Sequence, residues 1–145
     1  MKVRWRNIIG FTTGYFDIMH PGHVLMLEEC KRYCDYLIVG LHTSPAHKKD
    51  LIQSVFERFI QLKGCRYVDE IIPYESEKDL KNILKTIEIN IRFLGEDYSR
   101  DNKFITGYNT CILKNIELYY CKRFHHYSST ELKKRIVSLS NTLTD

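Results

Sequence analysis

Five short apolar runs, each followed by a polar turn or a segment of helical periodicity, constrain the fold of this chain more than any other feature. The first, Asn7-Ile8-Ile9-Gly10-Phe11-Thr12-Thr13, is apolar and β-branched enough to predict a buried strand, with Gly14 ending it. Asp35-Tyr36-Leu37-Ile38-Val39-Gly40-Leu41 is nearly continuous in apolar character, as central strands of parallel sheets are. Val68 to Pro73 predicts a short strand near a sheet edge, because proline cannot donate to a ladder. Ile89 to Leu94, closed by Gly95, and Ile116 to Tyr120 predict two more. Helical spacing fills the intervals over Val24–Cys34, Ser54–Gly64 and Glu77–Glu88. A last helix is predicted from Ser128 or Ser129 through Leu132, Ile136 and Leu139, and Tyr98 to Leu113 reads as a loop with at most one helix. Strand and helix in alternation predict an α/β chain: a single Rossmann-like domain over residues 1–145, built on a five-stranded parallel sheet flanked by helices.

Such sheets bind ligands beyond the C-terminal ends of their strands, where the strand order switches direction. The polar segments fall at those ends. His20-Pro21-Gly22-His23 follows the first strand, His42 to Lys49 the second, Gly95-Glu96-Asp97 the fourth and Arg123 to Thr130 the fifth, so all are expected at one mouth. His20 and His23 lie three positions apart at a helix start, on one side of a turn whose backbone N–H groups lack helical partners. That is a place to hold a phosphate. Either histidine alone reads as a polar surface residue, and the pair as half of a metal site lacks a cysteine or carboxylate at ligand spacing.

A chain of 145 residues with 43% hydrophobic and 28% charged residues has the composition of one soluble globular domain. No stretch approaches the roughly 20 apolar residues that span a bilayer, and Met1-Lys2-Val3-Arg4-Trp5-Arg6 has no signal-peptide core. The net charge of +4 suits a small polyanion, while the long basic runs that nucleic acid would favour are missing. Five cysteines, an odd number at scattered spacings, are expected to be reduced packing residues of a cytoplasmic protein.

Taken together, Gly14-Tyr15-Phe16-Asp17-Ile18-Met19-His20-Pro21-Gly22-His23, Asp35–Val39, Arg66-Tyr67-Val68-Asp69-Glu70-Ile71-Ile72-Pro73, Gly95-Glu96-Asp97-Tyr98 and Arg123–Thr130 resemble the glycerol-3-phosphate cytidylyltransferase family of the nucleotidyltransferase superfamily. The resemblance runs from about Ile8 to Ile136. It implies attack by a substrate phosphate on the α-phosphorus of CTP, with expulsion of pyrophosphate and with Mg²⁺ carried by the nucleotide phosphates. It also implies a homodimer acting on glycerol 3-phosphate or a similar small phosphate.

On that basis His20, His23, Lys49 and Arg123 are expected at the catalytic centre. Gly14, Tyr15, Phe16, Gly22, Lys48, Gly95, Asp97, Ser128, Ser129 and Thr130 are expected around the nucleotide. Asp17, Arg58, Arg66 and Asp69 are expected toward the acceptor, although Asp17 reads more naturally as a brace for the histidine turn. Several of these keep a second reading. Ser128-Ser129-Thr130 is also an ordinary N-cap, Lys48-Lys49 a solvated pair, and Arg58 and Arg66 surface ion pairs. Tyr15 and the Phe124-His125-His126-Tyr127 run depart from the family pattern, and Ile105-Thr106-Gly107 is similar to sugar-phosphate adenylyltransferases. Three alternatives stand beside the cytidylyltransferase: an adenylyltransferase using ATP on a sugar phosphate, a catalytically silent nucleotide-binding domain, and a fragment of an aminoacyl-tRNA synthetase. The short chain argues against the last.

Overall fold

The computed structural model describes residues 7–43, 50–96 and 105–143. Lys48, Lys49 and Asp97 lie outside them. The order of elements is β1 (Ile9–Gly14), α1 (Pro21–Arg32), β2 (Tyr36–His42), α2 (Val55–Lys63), β3 (Glu70–Tyr74), α3 (Glu77–Thr86), β4 (Ile91–Gly95), α4 (Tyr108–Leu113), β5 (Glu117–Cys121) and α5 (Ser129–Thr142). All five strands pair in parallel, in the order β3-β2-β1-β4-β5. The chain winds outward from β1 to β3, then crosses back to β4, so the order switches between β1 and β4.

Two apolar layers follow from this winding. On one face Leu27 and Cys30 of α1 and Leu62 of α2 pack with Leu37, Val39, Leu41, Ile91 and Phe93. On the other, Leu80, Ile83 and Leu84 of α3 and Cys111 of α4 pack with Phe11, Ile38 and Ile116. Burial of both sheet faces is why β2 is apolar at nearly every position rather than alternating. Serines start the second and third helices: Ser54 Oγ accepts from Glu57 N–H and Ser76 Oγ from Asp79 N–H, each with a returning carboxylate. At the far end of α3, Lys114 Nζ donates to the carbonyls of Leu84, Lys85 and Ile87, closing groups the helix leaves open. All five cysteines are free thiols, with the Cys30 and Cys121 sulfurs 3.7 Å apart in the core.

The sheet, its parallel sense and the edge position of β3 agree with the sequence. Details differ. Gly14 closes β1 from within, as its last paired residue, opposite Leu41. A Cβ there would come within 3.0 Å of the Phe16 ring, so the glycine makes room for an aromatic of the core. The first helix starts at Pro21, three residues before its apolar pattern begins, because proline at the first helical position forfeits no bond. Its inward face is Leu27 and Cys30, whereas Val24 and Leu25 are exposed. Ile60 and Val55 of α2 likewise face out, and Arg58 faces in. The largest departure is α5, which buries none of its residues, with Ile136 and Leu139 exposed.

Candidate active site

Between β1 and α1 the backbone is strained, and the strain places the histidines. Phe16 and Ile18 have φ of 52° and 38°, a left-handed conformation that costs a β-branched residue most. Three sets of contacts hold it. The Phe16 ring is locked in the core, Ile18 N–H donates to Gln53 Oε1 at 2.6 Å, and the Asp17 carboxylate accepts from the backbone of Ile52 and Gln53. Asp17 also faces Lys133 Nζ of α5 at 3.4 Å. Burial pushes the Asp17 pKa up, but the two backbone donors and Lys133 outweigh it and hold the carboxyl below its ordinary value.

The turn delivers His20 to the N-cap of α1. Its Nδ1 accepts from Gly22 N–H at 3.0 Å, and His23 Nδ1 accepts from His20 N–H at 3.3 Å. The rings stack with centroids 3.9 Å apart. With both Nδ1 atoms accepting, the N–H of each ring is on Nε2. Burial, with His125 and Arg123 nearby, lowers the pKa of His20. His20 is thereby held toward its neutral form, in which its Nε2–H can donate to an anionic oxygen. Gly22 has a steric role here: a Cβ would lie 2.8 Å from the His20 ring and 3.0 Å from that of His125.

A cavity of about 530 Å³ opens on these residues. His20, Gly22 and His23 form one wall, Gly95 and Glu96 the floor after β4, and Arg123, His125 and Ser128-Ser129-Thr130 the wall after β5. It thus sits at the C-terminal strand ends, at the switch between β1 and β4. Ser128 is the N-cap of α5, its Oγ accepting from Glu131 N–H at 3.0 Å, so the ordinary cap belongs to that residue. Ser129 Oγ instead reaches Asp17 O at 3.2 Å, tying the start of α5 to the histidine turn.

Seven sequence-selected residues lie elsewhere or serve another role. Gly14, Tyr15 and Phe16 do not line the cavity. Tyr15 stacks on His42 at 4.6 Å and Phe16 is core. Arg58 is neither a surface ion pair nor part of the cavity. It is 2% exposed, and its Nη1 donates to the carbonyls of Tyr15 (2.9 Å) and His42 (2.8 Å), which ties the ends of β1 and β2 together. Arg66 stacks over Tyr67 at 5.6 Å, away from the cavity. Asp69 accepts from Leu37 N–H and pairs with Lys31 at the N-terminal edge of the sheet, the end opposite the cavity. Asp17, wholly enclosed, is the brace rather than a substrate contact.

Sequence reasoning missed two carboxylates. Glu29 of α1 accepts from Lys122 N–H (3.0 Å) and Glu96 from Arg123 N–H (3.0 Å), pinning the segment that carries Arg123. Arg123 in turn donates to Tyr127 O at 2.8 Å. Neither glutamate has a local signal, since each partner is a backbone amide distant in sequence.

A doubly wound parallel sheet with a cradle of imidazole, guanidinium and hydroxyl groups at its switch point defines a nucleotide-binding α/β domain. The chain belongs to the cytidylyltransferase-like family, which matches residues 11–135. It is 31% identical to the glycerol-3-phosphate cytidylyltransferase of Bacillus subtilis, over 88% of this chain and 96% of that one. It is 33% identical to the bifunctional protein HldE of Nitrobacter winogradskyi over 88% of its own length, but spans only 26% of HldE. Among solved structures, the lipopolysaccharide core biosynthesis protein of Thermoplasma volcanium shares the fold with a TM-score of 0.70 at 21% identity, over 83% of this chain and 100% of that one. The pantoate–β-alanine ligase of Francisella tularensis shares it at 0.57 and 16%, over 96% and 72%. No helix among the described residues is long and apolar enough to cross a membrane.

Proposed function

We propose that this protein transfers the CMP moiety of CTP to a small phosphorylated acceptor, glycerol 3-phosphate or a close analogue, and releases pyrophosphate. The observation that carries the proposal is the stacked His20–His23 pair, with both Nδ1 atoms engaged by backbone amides, facing the start of α5 across one cavity. Transfer between phosphates needs no covalent nucleophile from the protein. It needs two repelling anions aligned, and charge balanced on the α-phosphate and on the leaving group. His20 and His23 donate to the oxygens that gain charge at the transition state. Arg123 and the α5 start, with the Thr130 hydroxyl, hold the β- and γ-phosphates, while the Ser129 hydroxyl donates to Asp17 O and fixes that start against the histidine turn. Lys48, Lys49 and Asp97, which follow β2 and β4 in the sequence, are proposed to serve the same phosphates.

Mg²⁺ enters with the nucleotide, as part of the substrate. It prefers phosphate oxygens and water to an all-protein cage, and the described residues gather no group of three or more ligating side chains. We propose further that the enzyme is a cytoplasmic homodimer, which is what the family resemblance implies. An ATP-dependent adenylyl transfer to a sugar phosphate is less well supported. The segment that favoured it lies outside the cavity: the Thr106 hydroxyl bonds Glu77 and its carbonyl accepts from the buried Arg92.

Thermal shift tests the nucleotide. Ligand at about 100 times its Kd stabilises a native state by about 2.7 kcal/mol, which at this chain length raises Tm by about 8 °C. CTP with Mg²⁺ is expected to give the largest rise, ATP a smaller one and CMP little. A larger rise with ATP overturns the cytidylyl assignment.

A further inference from the structure

The third imidazole of the cavity, His125, lies outside every role assigned above. We infer that His125 is a further phosphate-binding residue of this site, donating from Nε2 to the triphosphate of the bound nucleotide alongside His20 and His23. The inference rests on the proposed nucleotidyl transfer and adds a contact to it.

Three observations support it. Position comes first: the Cε1 atoms of His20 and His125 lie 2.8 and 3.0 Å from one point, where a Cβ on Gly22 would stand. Both imidazoles therefore meet over the bare backbone of the first turn of α1, at the positive end of its dipole. Orientation comes second. His125 Nδ1 accepts from Tyr127 N–H at 3.1 Å, and the Tyr127 ring lies beside it at 5.3 Å. This is the device that orients the other two histidines, a backbone amide occupying Nδ1 and leaving the N–H on Nε2. Charge comes third. Arg123 and the start of α5 flank the His125 loop, and Glu96 and Glu29 are turned onto backbone amides of the same segment. An anion that bridges the starts of α1 and α5 passes His125 on the way.

The ligand class is set by span. A single phosphate fits the His20–His23 corner, whereas His125 and Arg123 stand on a different loop, after β5. A chain of phosphates engages both walls at once. The contact thus falls on the leaving pyrophosphate side of the nucleotide, and His125 is expected to hold pyrophosphate after transfer as well.

Two substitutions separate a ligand contact from support of the loop. His125→Asn keeps an acceptor near the Nδ1 position for Tyr127 N–H but removes the distal donor. His125→Gln places an amide donor near the Nε2 position. With pyrophosphate release measured on the full chain, His125→Asn is expected to raise KM for CTP about tenfold or more, the usual worth of a hydrogen bond to a charged group. Competitive inhibition by added pyrophosphate is expected to weaken in parallel, and His125→Gln to recover part of both. KM for the acceptor is expected to stay within about twofold. Wild-type kinetics and wild-type pyrophosphate inhibition in His125→Asn overturn the inference, as does a loss in His125→Gln equal to that in His125→Asn. Absence of turnover in the unsubstituted protein with every nucleotide defeats the proposed function instead, so the two failures are distinct.

Discussion

Replacing His23 by alanine is expected to lower kcat by about 10²–10³ while leaving the fold intact. The side chain lies at the cavity wall on the first turn of α1, half-buried, so its removal opens no void in either apolar layer. What is lost locally is one return bond to the cap, His23 Nδ1 to His20 N–H, and a ring stacked at 3.9 Å. That costs stability about 1 kcal/mol, the range of a lost helix cap. What is lost at the transition state is larger, because a donor aimed at developing charge in a cavity is worth more than one in water. Pyrophosphate release and a thermal melt on the same sample check the pair of effects. Near-normal turnover contradicts the role given to His23, and collapse of the melt contradicts the location given to it.

A second large effect is expected on stability. Asp17→Ala removes a fully enclosed carboxylate that serves Ile52 N–H, Gln53 N–H and Lys133, and leaves those groups without it. Breaking a buried pair of this kind costs about 3 kcal/mol. Turnover is expected to fall as well, because the strained Phe16–Ile18 turn and the Ser129 contact to Asp17 O both depend on this residue staying in place. The pH dependence has a definite sign. The folded-state pKa is depressed, so the stabilisation is fully present above the unfolded value near 3.8 and is lost as pH falls through the lower folded value. The gap between the urea midpoints of parent and variant is thus expected to be wide at neutral pH and to narrow in acid, once the pH falls below the unfolded value of 3.8. A constant gap across that range contradicts the assignment.

The sheet was legible because its signals are local. β2 is apolar throughout, Ser54 and Ser76 precede carboxylates at the capping-box spacing, and the apolar residues of α3 fall on one face. The histidine pair was legible for the same reason, since a strand, a turn and a helix start follow one another in the chain. What escaped depends on partners distant in sequence. Arg58 sits on a helix whose pattern gives no hint of burial, and its partners are carbonyls 43 and 16 residues away. Asp69 sits beside a family-like motif, yet it serves the far edge of the sheet through Lys31 and Leu37. The periodicity of α5 promised a buried face that the described residues leave exposed, because a helical stripe states that a face is apolar but not what covers it. His125 lay in a run that departs from the family pattern, and only the fold showed its ring beside that of His20 over Gly22.

The central claim is that this cavity joins a nucleotide to a phosphorylated acceptor. Pyrophosphate release with Mg²⁺ and CTP, compared with and without each member of a panel of polyol and sugar phosphates, tests it most directly. The expected result is release with CTP that depends on the acceptor, is greatest with glycerol 3-phosphate or a close analogue, and falls about 10²–10³ in His23→Ala. Release that needs ATP rather than CTP, or no release with any pair, contradicts it.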